Sequence, residues 1–405
     1  MSLNLKVSTI ALNLEAKMPR ISILSPTLSK GGLDRAYVIA QALQTLNYDV
    51  EILGFLFPGD QIYPAPPPKL HVESVPGGIY PQLFGNVKQL LDKINGDIIY
   101  AVKLKPTSFG IALLKRFFHQ KPVILDIDDW ELSWHGGDQW QYRPSLKQFY
   151  RDLFKPNGQL RYSDHPQYLK WMEPLVTRAN AVTVDTQFLQ QRFGGVYLPN
   201  GKDTQLFDPQ RYDPQTSRER YGLDGYRILM FPGAPRPHKG VEDVLVALEQ
   251  LNTPDLRLVL VGDSPYDDYD QKLMQKWGRW IIQLPRSPVE AMPEIVAAAH
   301  VVIVPQRNTL TAQAQFPLKL TDGMAMAKPI LSTRVGDIPE ILGEAGYLVD
   351  PGSPEQIAQI LPVIFDDLER ANQKGQEARK RCIEHYSVKT MAAILTEVME
   401  PLLLS

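Results

Sequence analysis

Cysteine is almost missing from this sequence. Cys382 stands alone among 405 residues, which excludes an intrachain disulfide and fits a reducing compartment. Charge of one sign is also lacking: 43 Lys and Arg nearly cancel 45 Asp and Glu, leaving −2. A general electrostatic grip on nucleic acid is therefore not expected. No apolar run approaches the ~18 residues of a membrane span, and the N-terminus lacks the basic-then-apolar order of a secretory leader. The seven histidines are scattered with no i,i+4 pair, so no metal site is expected. These absences predict a cytoplasmic globular protein. What is plentiful is proline, with 34 residues, implying many loops of fixed shape.

The length suits two or three domains at roughly 150 residues each. The first 19 residues carry no clear element. From Arg20 onward, short apolar runs alternate with helical spacing. Strands are predicted at Arg20–Leu24, Val50–Phe55, Asp97–Ala101, Pro122–Ile127, Ala181–Val184 and Val196–Leu198. Helices are predicted at Leu33–Leu46, Phe109–Phe118, Tyr168–Arg178 and Gln187–Phe193. A turn-rich stretch from Asn200 to Gly225 interrupts the rhythm. It restarts with strands Tyr226–Phe231, Leu256–Val261, Trp280–Leu284, Val301–Pro305 and Pro329–Thr333. The helices between and after them are Gly240–Leu251, Tyr269–Trp277, Val289–Ala299, Leu318–Ala327 and Ile338–Leu342. This alternation is the signature of parallel sheets wrapped on both faces. Two α/β units, about 1–199 and 200–386, would face a central cleft. Helices at Pro354–Asn372 and Val388–Leu403 follow, with about 387–405 expected to cross back to the first unit.

Three loops carry chemistry. Phe231–Gly240, FPGAPRPHKG, places Gly233, Arg236 and Lys239 between a strand and the next helix. Cations at a helix N-terminus are unfavourable unless an anion joins them, and the free backbone N–H groups there would bind one. The segment reads as a phosphate site or as two solvated cations, with His238 pointing to solvent. Gln315–Pro329, QFPLKLTDGMAMAKP, has Pro317 suited to a first helical position and Leu318 placed to pack. Lys319 and Asp322 share one helix face and read either as a phosphate-and-diol pair or as an ordinary ion pair. Gly31-Gly32, between the first strand and helix, allows close backbone approach to an anion or forms a plain turn.

In combination, these segments resemble the GT-B glycosyltransferases, specifically the retaining group called glycosyltransferase family 4, over about residues 20 to 400. The resemblance rests on Gly31-Gly32, on YLPNGKDTQLFDP at Tyr197–Pro209 and on RPHKG at Arg236–Gly240. It extends through PLKLTDGMAMAKPIL at Pro317–Leu331 to Gly336, Pro339 and Glu340. It implies two doubly wound, Rossmann-like domains facing a cleft. It also implies transfer of a sugar from a UDP- or GDP-linked donor with retention, without a metal ion or other cofactor. Arg236 and Lys239 would face the donor diphosphate, and Asp322 would bind the ribose. Gly31, Gly32 and Gly233 would lie near the phosphates. Donors at the level of Pro317, Leu318 and Lys319 would hold the distal phosphate, and the loop ending at Arg286 would meet the base. Asp128 would orient sugar or acceptor. The sequence departs from the family at Ala314, where the first of two glutamates is usual, at Asp128, where a histidine is usual, and at Ala234, the usual place of the arginine.

One segment fits no unit: ten aromatics and several cations crowd Asp129–Trp171. It reads as a packed insertion, as an acceptor wall built from Trp130, Trp134 and Trp140, or as a peripheral membrane contact. Asp126 and Asp128 also admit a metal-binding Asp-x-Asp reading or a phosphatase nucleophile. A catalytically degenerate nucleotide-sugar binder is a further alternative. The acceptor is not specified by the sequence.

Overall fold

The computed structural model describes residues 18–29, 31–264 and 267–403. The expectation for the first 19 residues lies, up to residue 17, outside them.

The first sheet holds β1 (Arg20–Ser25), β2 (Asp49–Leu56), β3 (His71–Pro76), β4 (Ile98–Val102), β5 (Val123–Ile127), β6 (Ala181–Val184) and β7 (Val196–Tyr197). Their order is β3-β2-β1-β4-β5-β6-β7, and every pair is parallel. The second sheet holds β8 (Arg227–Phe231), β9 (Leu256–Val261), β10 (Ile281–Leu284), β11 (Val301–Val304), β12 (Ile330–Thr333) and β13 (Tyr347–Val349). It repeats the pattern as β10-β9-β8-β11-β12-β13, again parallel throughout. Runs such as Ile98–Val102 and Val301–Val304 are wholly buried because helices cover both sheet faces. Consecutive residues feed opposite cores: Ile99 packs in one cluster and Tyr100 in the other. This is the expected architecture of two Rossmann-like domains, each with its strand order reversing beside its first strand.

That reversal positions the site. In such sheets ligands bind beyond the carboxyl ends of the strands at the switch point. The Gly31-Gly32 loop follows β1, and the Phe231–Gly240 loop follows β8, so both leave their sheets at the reversal.

The chain crosses between lobes twice, and the crossings are tied together. Lys202 N donates to Tyr386 O at 2.7 Å, and Val388 N donates to Lys202 O at 3.0 Å. Beyond the second crossing, the helix Val388–Leu403 returns to the first lobe. Met391, Leu395, Val398 and Met399 share a core with Ala36, Ile39 and Leu43 of the helix Asp34–Thr45.

Some elements differ from the expectation. The helix expected at Pro354–Asn372 is two helices, Pro354–Asp366 and Leu368–His385. Asp367 breaks them because its backbone leaves the helical region and its carboxylate accepts Arg370 N at 3.0 Å, capping the second. The helix expected at Val289–Ala299 shrinks to a 3₁₀ turn and Met292–Ala297. β3, β13 and the helices Leu83–Lys93, Leu146–Phe154 and Pro214–Arg220 were not anticipated.

Candidate active site

Between the lobes lies a cavity of about 500 Å³, within the range of small-molecule sites. Its C-lobe wall carries Arg236, His238 and Lys239 from the loop after β8, and Pro317, Leu318 and Lys319 from the start of the helix Leu318–Ala325. The N-lobe wall brings Gly31 and Gly32 together with Lys103, Asp128, Glu131 and Trp134. Gly32 in the wall and Gly233 outside the lining both leave room for close neighbours. A Cβ on Gly32 would sit 2.2 Å from Thr27 O, and one on Gly233 would sit 2.6 Å from Lys319 Cε. Gly233 also has φ +153°, and its missing side chain leaves the path along which Lys319 reaches the cavity.

The two walls differ electrostatically. On the N-lobe side the cations are matched: Lys103 Nζ lies 2.9 Å from Asp128 and 3.7 Å from Glu131, and Lys105 lies 3.2 Å from Glu131. These carboxylates hold the Lys103 ammonium charged despite its burial. On the C-lobe side the cations crowd one another. Burial and the charges of Lys319 and Arg236 push Lys239 down to about 7. Burial lowers Lys319 too. Lys239 Nζ donates to the neutral Gln315 Oε1 at 3.1 Å, and Gln315 Nε2 donates across the cleft to Asp129 Oδ2 at 3.0 Å. Asp129 also accepts Trp134 Nε1 at 3.0 Å, and burial pushes it up to about 6.

Eight buried side-chain polar atoms among the described residues have no partner, and four of them, on Arg35, Asp129, Asp185 and His238, belong to residues lining this cavity. Orphaned polar groups are costly unless a ligand or water satisfies them. Water or a polar ligand in the cavity would satisfy these four.

His238 does not face solvent as expected. Its Nε2 is buried, its ring meets Trp134 edge-on at 5.4 Å, and burial among the cations lowers it to about 3. Asp322 lies off the cavity wall, its carboxylate paired with Lys202 of the first interlobe crossing. Arg286 also stands outside the wall, 3.6 Å from Asp263 and 5.6 Å from the Tyr63 ring of the other lobe. Of the three tryptophans only Trp134 borders the cavity. Trp130 is buried with Nε1 on Glu173 at 2.8 Å, and Trp140 stacks on Tyr142. Asp126 is fully buried under Arg35, which reaches both its oxygens at 2.8 Å, so it is open neither to a metal nor to a phosphoryl group. Ala314 is buried in a core with Trp130 and Leu132, so apolar packing crosses the cleft where a family glutamate would stand. Sequence reasoning missed Lys103, Lys105 and Glu131. The signal was present: Lys103 and Lys105 follow β4, and Glu131 follows β5, at the carboxyl edge where ligands gather.

Residues 226–367 match the family model described as "Glycosyl transferases group 1". Anabaena HepE, crystallised with UDP-glucose, superposes with a TM-score of 0.72 at 19% identity, covering 95% of this chain and all of that one. Over residues 226–367 the chain is thus similar to the group 1 glycosyl transferases, and its two lobes share the GT-B fold. Two curated relatives are similar in sequence. The MMP alpha-(1->4)-mannosyltransferase of Mycolicibacterium hassiacum is 28% identical over 56% of this chain and 53% of its own length. The GDP-mannose-dependent alpha-(1-6)-phosphatidylinositol monomannoside mannosyltransferase of Mycolicibacterium smegmatis is 26% identical over 55% and 62% respectively. The chain thus matches little more than half the length of these relatives. The family match lies in the lobe that supplies Arg236, Lys239 and Lys319.

The depressed Lys239 ammonium predicts that any anion bound beside it will be linked to protonation. Near pH 8 Lys239 is mostly neutral, because its pKa in the free protein is about 7. A bound anion favours the ammonium form and raises that pKa, so binding takes up a proton above neutrality. Affinity for a nucleotide sugar, whose diphosphate diester does not itself titrate near neutrality, should fall as pH rises through 7 to 8. Calorimetry in two buffers of different ionisation enthalpy should find uptake approaching ~1 proton per nucleotide at pH 8. Lys239→Arg, permanently charged, should remove most of it. Equal heats in both buffers for the unaltered protein would remove Lys239 from the anion's surroundings.

Proposed function

We propose that this protein is a retaining glycosyltransferase that takes its sugar from a nucleoside diphosphate without a metal ion. The observation that carries the reading is that Arg236 and Lys239, from the loop after β8, share one cavity wall with Lys319 of the helix Leu318–Ala325, and that burial and these like charges depress both lysines, a cost an anion would relieve. Residues 200–386 would hold the donor, and 1–199, with 387–405 returning to them, the acceptor. Breaking the bond to a nucleoside diphosphate puts negative charge on the leaving oxygen while the sugar becomes oxocarbenium-like. Fixed cations and free N–H groups aimed at that oxygen stabilise the transition state more than the ground state. The departing phosphate can accept the acceptor's proton, so no carboxylate nucleophile is required. Asp128, held by Lys103 at the opposite wall, would orient sugar or acceptor. Arg236 and Lys239 would serve the leaving group, with Gly31, Gly32, Gly233, Pro317, Leu318 and Lys319 around the phosphates. Asp322 would reach the ribose only by exchanging its Lys202 partner, and Arg286 would meet the base at the cleft's far end. The UDP-glucose bound by Anabaena HepE and the GDP-mannose dependence in a curated relative's name favour these two nucleotide classes.

A thermal-shift screen of UDP-, GDP- and ADP-sugars tests this. The correct donor at ~100 times its Kd should add about 2.7 kcal/mol of stability. Slow hydrolysis of the same donor should continue in excess chelator. If no nucleotide sugar raises the melting temperature, the donor reading fails; if chelator abolishes turnover, metal independence fails.

A further inference from the structure

The helix Leu146–Phe154 is inverted relative to an ordinary surface helix. Leu146, Phe149, Tyr150, Leu153 and Phe154 fall at i, i+3, i+4, i+7 and i+8, a stripe that normally turns to the core. All five are exposed, Leu146 at 91% and Phe154 at 62%, while the helix's one buried residue is Asp152. This orientation is fixed at several points. The Asp152 carboxylate accepts the Tyr142 hydroxyl at 2.8 Å, and Ser145 caps the N-terminus through Gln148 N at 3.2 Å. At the other end, Gly158 packs so closely that a Cβ there would lie 2.2 Å from Asp152 O. Arg161 then ties the following turn to Tyr80 O at 2.8 Å.

Charge selects the occupant. From Trp140 to Ser163 the cations are Arg143, Lys147, Arg151, Lys155 and Arg161, of which Arg151 lies 3.4 Å from the inward Asp152, the sole acid of the stretch, and Arg161 is turned to backbone carbonyls; the exposed Asp164 that follows is paired with Lys105 at 3.4 Å. The exposed face therefore carries an aromatic and aliphatic stripe beside cations, with no exposed carboxylate in that stretch. Two copies placed face to face would set cation against cation, which disfavours self-association. An apolar stripe flanked by Lys and Arg matches the boundary between acyl chains and anionic headgroups. Among the described residues no helix is long and apolar enough to cross a membrane, so the contact would be peripheral.

We propose that the helix Leu146–Phe154 docks this protein on anionic lipid bilayers, its apolar stripe entering the headgroup boundary and its cations meeting the lipid phosphates. The proposal stands apart from the nucleotide-sugar reading, so vesicle binding and donor binding are measured separately.

Co-sedimentation of the full chain with vesicles of phosphatidylcholine and ~30% phosphatidylglycerol tests it. The expected result is binding at least ~10-fold tighter than to pure phosphatidylcholine, weakening on going from 0.1 to about 0.5 M NaCl. Phe149→Ser with Phe154→Ser, and separately Lys147→Glu with Lys155→Glu, should each reduce binding at least ~10-fold while melting temperature and donor-induced thermal shift stay unchanged. Equal binding to both vesicle types would overturn the proposal. So would variants that bind like the parent, or a dimer in sedimentation velocity that the serine variant dissociates.

Discussion

Lys239→Ala should lower kcat about 10²–10³-fold, the loss seen when one preorganised donor to a developing anion is removed. Arg236→Ala should lower it by ~10²-fold or more. Much of the effect belongs on kcat because additional charge develops on the leaving oxygen as the glycosidic bond breaks, while the charge the diphosphate already carries means that KM should rise as well. The lysine also makes a distinctive stability prediction. Its depressed pKa means the folded apoprotein disfavours this ammonium, so removing it should not lower the melting temperature at pH 6. Near-normal turnover in both variants would overturn the assignment of the Phe231–Gly240 loop. Lost turnover with a lowered melting point would point to misfolding.

Arg35→Ala should destabilise the N-terminal lobe by about 3–5 kcal/mol, the usual penalty for stranding a buried charge. Arg35 joins three parts of the fold. It lies in the helix that follows Gly31-Gly32, it bonds both oxygens of Asp126 on β5, and it donates to Leu198 O at 2.8 Å just before the first interlobe crossing. Asp126 is left with Thr183 Oγ1 at 2.6 Å as its remaining hydroxyl donor. Urea unfolding followed by a first-lobe probe should show the lowered midpoint. Arg35→Ala with Asp126→Ala should recover part of the loss, since both charges are then gone. A single-variant loss below ~1 kcal/mol would mean the pair is hydrated and relaxed.

The sequence was most legible where local chemistry and tertiary environment agree. Gln187–Phe193, Leu256–Val261 and Tyr269–Trp277 fall where their apolar spacing and flanking residues place them. It was least legible in Asp129–Trp171. There Trp130 satisfies its ring N–H on Glu173 inside the lobe, while Leu146 and Phe154 stand in solvent. Periodicity reports that a stripe exists but not which way it faces. His238 shows the same limit: Arg236 and Lys239 beside it in sequence suggest a solvated loop, but Trp134 of the other lobe meets its ring.

By itself the sequence determined two doubly wound sheets and the loops that carry Gly31-Gly32, Arg236, Lys239 and Lys319, because strand length, helical spacing and loop glycines act over neighbouring residues. Only the tertiary structure decided which charges stay uncompensated. Lys103 is matched by Asp128 and Glu131 and Asp322 by Lys202 far away in the chain, whereas Lys239 hydrogen-bonds a neutral amide and the pull of Asp129 does not offset its burial and the cations beside it. Those pairings depend on distances between segments that meet only when both lobes fold and face each other. Coulomb energy and desolvation follow spatial separation and burial, not separation along the chain.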